Sequence, residues 1–318
     1  MVVLFFLLFI CFLKSDIVWY NNIMEKIYDV LVLGGGVAGM SAAVYASRAG
    51  KSVAIVEKFA LGGQVLQLEQ IENFPSQTLI DGINLAQMFQ KQVEALKIEI
   101  LFDEIVSGEF GVNIKQINGQ MKTYKAKTVV IATGLTSIGL ETNESDYLGR
   151  GVSFCATCDG NFFRGKTVAV ASCGGSGMKD ALYLANLAAK VILIDCNDMS
   201  VLAKANKNDK IEIVSNTKIE RFEGEQKLEK VKCLVAGKQT EFAVDGVFVS
   251  LGKTPATKVF EGAIKLDEKG FVETDEKMQT SLAGVYAVGD VRNGVLKQIV
   301  TACSDGAIAG QIAASFAE

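Results

Sequence analysis

Apolar residues are distributed along the chain in two distinct rhythms. Residues 29–33 form a short unbroken apolar run, which predicts a buried parallel strand. Small and apolar residues then recur at helical spacing over 37–49, and a second run, SVAIVE, predicts another buried strand ending at Glu57. INLAQMFQKQVEALK (83–97) has the pattern of an amphipathic helix, and short alternating runs over about 98–131 end in KTVVIATG. A comparable set of short strands over 211–250 ends in GVFVSLGKTP, and GVYAVGD (284–290) is another buried strand running into Gly289 and Asp290. A helix rich in small residues over 304–317 closes the chain. Buried strands separated by helical segments place the chain in the α/β class. No low-complexity linker divides it, and the passages between its two parts are expected near 134–140 and 252–262.

The turn between the first strand and helix is GGGVAG. Each glycine has a task in a dinucleotide-binding unit: Gly34 makes the turn, Gly36 lets the backbone approach a pyrophosphate, and Gly39 lets helix and strand pack closely. The phosphates then lie on the amides of the helix N-terminus, and Glu57, at the end of the second strand, is placed to accept hydrogen bonds from a ribose. The same unit recurs 138 residues later. Val30–Leu33 falls on Val168–Ala171, Gly36 on Gly174, Gly39 on Gly177, Tyr45 on Tyr183, Val53 on Val191 and Glu57 on Asp195, without a gap. The first copy is intact; in the second, Ser172 stands where the first has Gly34. Two dinucleotide-binding (Rossmann-type) units in one chain are the expectation, each part of a three-layer ββα domain, the second inserted in the first.

Composition narrows the chemistry. The 318 residues are 49% hydrophobic and 21% charged, with a net charge of −4, and no dense Lys/Arg block marks a nucleic-acid partner. There is no histidine, so acid–base work falls to Asp, Glu, Cys, Lys or Tyr. Of seven cysteines, Cys155 and Cys158 form one close pair, while Cys11, Cys173, Cys196, Cys233 and Cys303 are scattered and expected as small core residues. A single CxxC fits an intracellular, cytoplasmic enzyme better than a secreted disulfide scaffold. The apolar stretch over residues 1–23 is short for a membrane span and lacks a preceding positive charge. It reads as a start called too early, with a signal or anchor as the alternative, and no membrane partner is expected unless it is a real segment.

SFCATCDG (153–160) carries the reactive chemistry. Thiols three positions apart can close a small-ring disulfide, and the neighbouring Asp159 can relay protons in a chain without histidine. The alternatives are an inert thiol pair, or half a zinc site that has neither a second CxxC nor a His pair to complete it, so no metal is expected.

GGGVAG, IENFP, VVIATG, CATCDG and GVYAVGD, in this order over about 24–318, resemble the low-molecular-weight thioredoxin reductases. The resemblance implies FAD in a discontinuous domain of 24–136 plus 253–318, with 137–252 inserted and carrying the redox cysteines. It implies that Gly34, Gly36, Val37, Ala38 and Gly39 cradle the FAD pyrophosphate, with Glu57 and Lys58 at the ribose. Gly62, Gly63, Gln64, Asn73, Ile105, Thr133 and Gly134 would line the cofactor. Gly289, Asp290, Lys297, Gln298 and Ile299 would close the ribityl side, Lys297-Gln298 standing where the family has Arg-Gln. Cys158 would face the flavin, Cys155 would attack the disulfide of a thioredoxin or thioredoxin-like protein, and Asp159 would be the general acid. A homodimer is implied as well.

The resemblance fails at one place. Relatives that use NADPH have an intact second glycine turn and then a His-Arg-Arg cluster with a further Arg, which hold the 2′-phosphate. Here VILIDCNDMSVLAK puts Asp195 in place of the His, Cys196 and Asn197 in place of the arginines and Val201 in place of the later one. Asp195 and Asp198 would face a doubly charged phosphate, with Lys204 the nearby cation. With the second nucleotide site altered, reduced ferredoxin, as in some clostridial and cyanobacterial relatives, is the expected donor, which flavin chemistry permits because a flavin accepts electrons singly. NADH read by Asp195, NADPH, and a non-catalytic flavin-binding redox sensor remain as alternatives.

Overall fold

The computed structural model describes residues 26–173, 175–196 and 208–318. The apolar extension over 1–23, Gly174, Asn197, Asp198, Val201 and Lys204 lie outside the described residues.

The first part begins with β1 (Ile27–Leu33), α1 (Val37–Arg48), β2 (Val53–Glu57) and α2 (Gly82–Ala95). β3 (Glu99–Phe102), β4 (Ile105–Phe110), β5 (Lys115–Gly119) and β6 (Thr123–Ile131) follow, and β7 (Leu135–Ser137) leads out of it. The second part holds β8 (Val152–Ser153), α3 (Ala156–Asp159), β9 (Thr167–Ser172), α4 (Gly175–Ala185), β10 (Lys190–Asp195) and β11 (Ile211–Val214). It continues through β12 (Thr217–Glu223), β13 (Lys230–Val235), β14 (Lys238–Ala243) and β15 (Gly246–Ser250). β16 (Lys253–Pro255) returns to the first part, which β17 (Val285–Ala287) and α5 (Ile299–Phe316) complete.

One sheet runs β3-β2-β1-β6-β5-β4, with β17 beside β6. β1, β2, β3, β6 and β17 are parallel, and β4 and β5 are antiparallel additions. The apolar side chains of one face (Val30, Val32, Ile55, Val130) pack under α1 and α5, and those of the other (Leu31, Leu33, Val56, Ile131) against Phe260, Ile264 and Val272. A parallel strand covered on both faces reads as an unbroken apolar run, as 29–33 does. The second sheet runs β11-β10-β9-β15-β8, wholly parallel. α4 covers one face through Met178, Ala181 and Leu184. The antiparallel meander β12-β13-β14 covers the other through Ile219, Phe222 and Val231. The fold is the expected α/β pair of Rossmann-type domains, with the second inserted in the first, and its layers are meander, parallel sheet and helix.

The two passages between the parts lie side by side. β7 and β16 pair antiparallel, Lys253 opposite Ser137 and Pro255 opposite Leu135. The closing helix starts five residues earlier than the small-residue pattern predicts. Gln298 takes the N-cap position, and its backbone amide donates to Thr301 Oγ1 at 3.1 Å. Glutamine is an uncommon N-cap, so no start signal stood there. α5 is long and apolar enough to cross a membrane by length and composition, yet its small residues are spent on a protein contact. A Cβ built at Gly306 or Gly310 would collide with the backbone of α1 at Ala38 or Ala42.

Candidate active site

The first glycine turn has the shape its sequence calls for. Gly34 leaves β1 with φ +111°, a conformation that a residue with a Cβ rarely adopts. A Cβ on Gly39 would collide with the Gly34 carbonyl oxygen, so that glycine sets the distance between turn and helix. At Gly36 a Cβ would meet nothing within 4 Å: the backbone there faces open space at the start of α1. Val37 and Ala38 form the first turn of that buried helix. This is a cradle into which a pyrophosphate fits. Glu57 ties the turn to the end of β2: Gly35 N donates to its Oε2 at 2.6 Å and Phe59 N to its Oε1 at 2.9 Å. The Lys58 Nζ is 2.6 Å from Glu104 Oε1. Gly62, whose amide donates to the Gly35 carbonyl at 2.8 Å, and Gly63 press against the same turn.

Several of the remaining expected residues are joined by hydrogen bonds between distant segments. Gln64 Nε2 donates to Asp290 Oδ2 at 3.2 Å, and Asn73 Nδ2 donates to Gln298 Oε1 at 2.9 Å. The Lys297 Nζ donates to the carbonyls of Asp290 (2.8 Å) and Arg292 (2.9 Å) and lies over the Phe271 ring. Burial lowers the pKa of Lys297, and Asp290 partly offsets this. Thr133 Oγ1 donates to Ala256 O at 2.8 Å, and Gly134 turns with φ +64°. Gly289, at φ +72°, donates its amide to Asp305 Oδ2 at 3.2 Å and abuts Ala38, while Ile299 opens α5. Ile105 stands apart from this group, packed into the apolar layer on the opposite face of the sheet.

The structure adds residues that the sequence pattern did not single out. Lys253 Nζ donates to Gln64 Oε1 at 2.7 Å and to Gln67 Oε1 at 3.3 Å, tying the returning ribbon to the Gln64 segment. Burial lowers the Lys253 pKa despite Asp290 and Asp180 nearby. A lysine beside a glycine and a proline reads as a turn, which is why this one carried no signal.

Cys155 and Cys158 are bridged, with Cα atoms 5.4 Å apart, across the single turn of α3. Thr157, between them, donates through Oγ1 to the Gln67 carbonyl at 3.1 Å, so the CxxC turn rests on the segment that holds Gln64. Cys158 is exposed, while Cys155 and Asp159 are half-buried. Among the described residues no group of three or more His, Cys, Asp or Glu side chains is placed to hold a metal ion.

The second unit departs from the first where its sequence does. Ser172 has no positive φ; it continues β9 and pairs with Asp195 and Ser250, whereas β1 stops before Gly34. Gly177 packs against the Ser172 side chain as Gly39 packs against Gly34. Asp195 is only 2% exposed, unlike Glu57 at the mouth of the first unit. Ser172 and Asp195 therefore do not repeat the positive-φ turn at Gly34 and the half-buried Glu57 of the first unit. Cys233 is a core residue, and burial raises its pKa to about 11, as it does that of the half-buried Cys303. Cys173 and Cys196 correct the expectation for the scattered cysteines. They are bridged to each other, with Cys173 exposed, because parallel β9 and β10 end level.

Two dinucleotide-type units, an inserted second domain and a CxxC resting on the first define a flavoprotein-type disulfide reductase. A family model for pyridine nucleotide-disulphide oxidoreductases matches residues 28–306, and the chain belongs to that family and, within it, to the low-molecular-weight thioredoxin reductases. The thioredoxin reductase of Bacillus subtilis is 38% identical over 304 residues, 92% of this chain and 96% of its own. The crystal structure of Lactococcus lactis thioredoxin reductase matches with a TM-score of 0.75 at 33% identity, over 91% of this chain and 99% of that one. A ferredoxin-flavin thioredoxin reductase from Clostridium acetobutylicum matches with a TM-score of 0.53 at 26% identity, over 92% and 98%.

Proposed function

We infer that the chain reduces the disulfide of a thioredoxin or thioredoxin-like protein, using FAD held by its first unit and electrons from reduced ferredoxin rather than NADPH. The carrying observation is the contrast between the open Gly36 cradle and the Ser172 strand end beside the buried Asp195. The ferredoxin-flavin relative supports the donor assignment. The FAD-binding body is 24–136 with 253–318, and 137–252 carries the thiols. A homodimer and a cytoplasmic setting go with this reading.

Gly34, Gly36 and Gly39 with the first turn of α1 hold the pyrophosphate, Glu57 and Lys58 lie at the ribose, and Gly62, Gly63, Gln64, Asn73, Thr133, Gly134, Gly289, Asp290, Lys297, Gln298 and Ile299 line the rest. Ile105 packs in the apolar layer on the other face of the sheet and contributes to the FAD-binding body rather than to the lining. When bound, FAD takes electrons one at a time from a protein donor and supplies them in pairs to a disulfide. Reduction of the Cys155–Cys158 bridge yields two thiols. The Cys155 thiolate attacks the substrate disulfide, forming a mixed disulfide and releasing one substrate sulfur, which Asp159 protonates. Cys158 then attacks Cys155, which restores the bridge and frees the second substrate thiol. Thr157, anchored on Gln67, holds the turn in place between these steps.

The test is anaerobic reduction of the flavin followed by counting of thiols released on an added thioredoxin. Two thiols per two electrons are expected, and C158S should stop release by about a thousandfold while keeping its flavin. Unchanged release from C158S would overturn the thiol route and favour a flavin-binding sensor.

A further inference from the structure

The geometry points to a second thiol–disulfide exchange site in this chain: the Cys173–Cys196 pair at the mouth of the second dinucleotide-type unit. The assignment stands on the fold and is independent of the electron donor. Cys173 follows β9 directly, and Cys196 follows β10. The two strands are parallel neighbours, with Asp195 opposite Ser172, so the next residues are brought face to face. The Cys196 amide donates to the Ser172 carbonyl at 3.0 Å, one step beyond the ladder, and the Cα atoms are 5.2 Å apart, within the range that a disulfide spans.

Location separates this pair from a core disulfide. The carboxyl ends of parallel strands are where open α/β sheets present their sites to solvent. Cys173 is exposed there and Cys196 is half-buried, so an incoming thiolate can reach one sulfur. Comparison with the first unit shows what the pair replaces. At the offset of 138, Cys173 falls on Gly35 and Cys196 on Lys58. In the first unit the turn is tied to the second strand by the hydrogen bond from Gly35 N to Glu57. In the second unit a disulfide joins the counterpart of Gly35 to that of Lys58, one residue beyond the counterpart of Glu57. The pair also lies apart from the CxxC, which packs near the other end of α4: Gly160 lies against Tyr183, Leu184 and Leu187.

The exchange balances with a thiol reductant, either glutathione-like or a protein dithiol of the thioredoxin class. A thiolate attacks the Cys173 sulfur, a mixed disulfide forms there, and Cys196 leaves as a thiolate that takes up a proton. A second thiol displaces Cys173 from the mixed disulfide. The pair gains two electrons and two protons, and the reductant becomes its disulfide.

The test is peptide mapping of the C155S/C158S holoprotein under native conditions, so that this pair alone exchanges. Trypsin places the two cysteines in separate peptides, 167–179 and 191–204. Non-reducing digestion of air-oxidised protein should give them cross-linked. Incubation with reduced glutathione at about millimolar concentration, or with a thioredoxin-type dithiol protein, should lower the cross-linked peptide by more than about tenfold and alkylate both cysteines equally. Opening by both reagents assigns a small thiol, and opening by the protein alone assigns a protein dithiol; either supports the site. Two separately alkylated cysteines in the oxidised protein, or a cross-link that survives both reagents until the protein is unfolded, would overturn it.

Discussion

The two βαβ units of this chain share a scaffold and differ at the surface that would meet a ligand. In both, a glycine at the matching position (Gly39, Gly177) lets the helix approach the turn, because any Cβ there would strike what lies opposite. That requirement comes from packing and holds with or without a nucleotide. Gly34 and Gly36 answer to a different demand, one turning the chain at positive φ and the other leaving space in front of the helix. In the second unit Ser172 extends the strand and a disulfide spans its end. The lesson is that glycines which serve the fold and glycines which serve the ligand can be separated by what a Cβ would touch.

Substitutions can break this comparison. After the redox cysteines, the largest effect is expected at Asp159, which belongs to what the second domain keeps. D159N should lower thioredoxin turnover by about a hundredfold with flavin content unchanged, measured by steady-state kinetics across pH. Next, G36A places a methyl group in open space, so protein stability should move by less than about 0.5 kcal/mol while flavin affinity falls by tenfold or more. G39A and G177A should instead both destabilise the protein, by about 1–3 kcal/mol in urea unfolding, although only G39A touches the flavin unit. A G177A protein as stable as the parent would break the steric equivalence of the units.

The smallest effect lies at the foot of the first unit. Burial of Asp29 raises its pKa, but hydrogen bonds from Lys127 and Ser52 outweigh burial and hold it at about 2 against an ordinary 3.8. A depressed carboxylate stabilises the fold above its unfolded pKa, and that contribution disappears as pH falls from about 4 to 2. D29N should flatten the unfolding midpoint over that window. The second unit has Thr167 at this position, with its amide bonded to Asp245 instead.

The fold was largely legible. Unbroken apolar runs marked β1 and β2 because those strands are covered on both faces, and the 138-residue repeat marked β9 and β10 of the second unit. The Gly34–Gly39 cradle was legible because sterics leave few residues able to occupy it. Other features depend on contacts between distant segments and leave no local pattern. Lys253 reaching Gln64, Thr157 resting on Gln67 and Asn73 meeting Gln298 are of this kind. The Cys173–Cys196 bridge was hidden for a related reason: 23 residues of sequence separate partners that strand register brings level. The first turn of α5 was missed because Gln298 is a poor start signal.

The proposed function requires the first unit to work as a dinucleotide site and the second not to. Its most direct test is an anaerobic titration of the oxidised holoenzyme with reduced ferredoxin, NADH and NADPH while flavin absorbance is followed. The account predicts bleaching by reduced ferredoxin, complete at about four electrons per flavin because the Cys155–Cys158 bridge takes up two of them, and none by either nicotinamide nucleotide at micromolar concentration. Rapid bleaching by micromolar NADPH would contradict it.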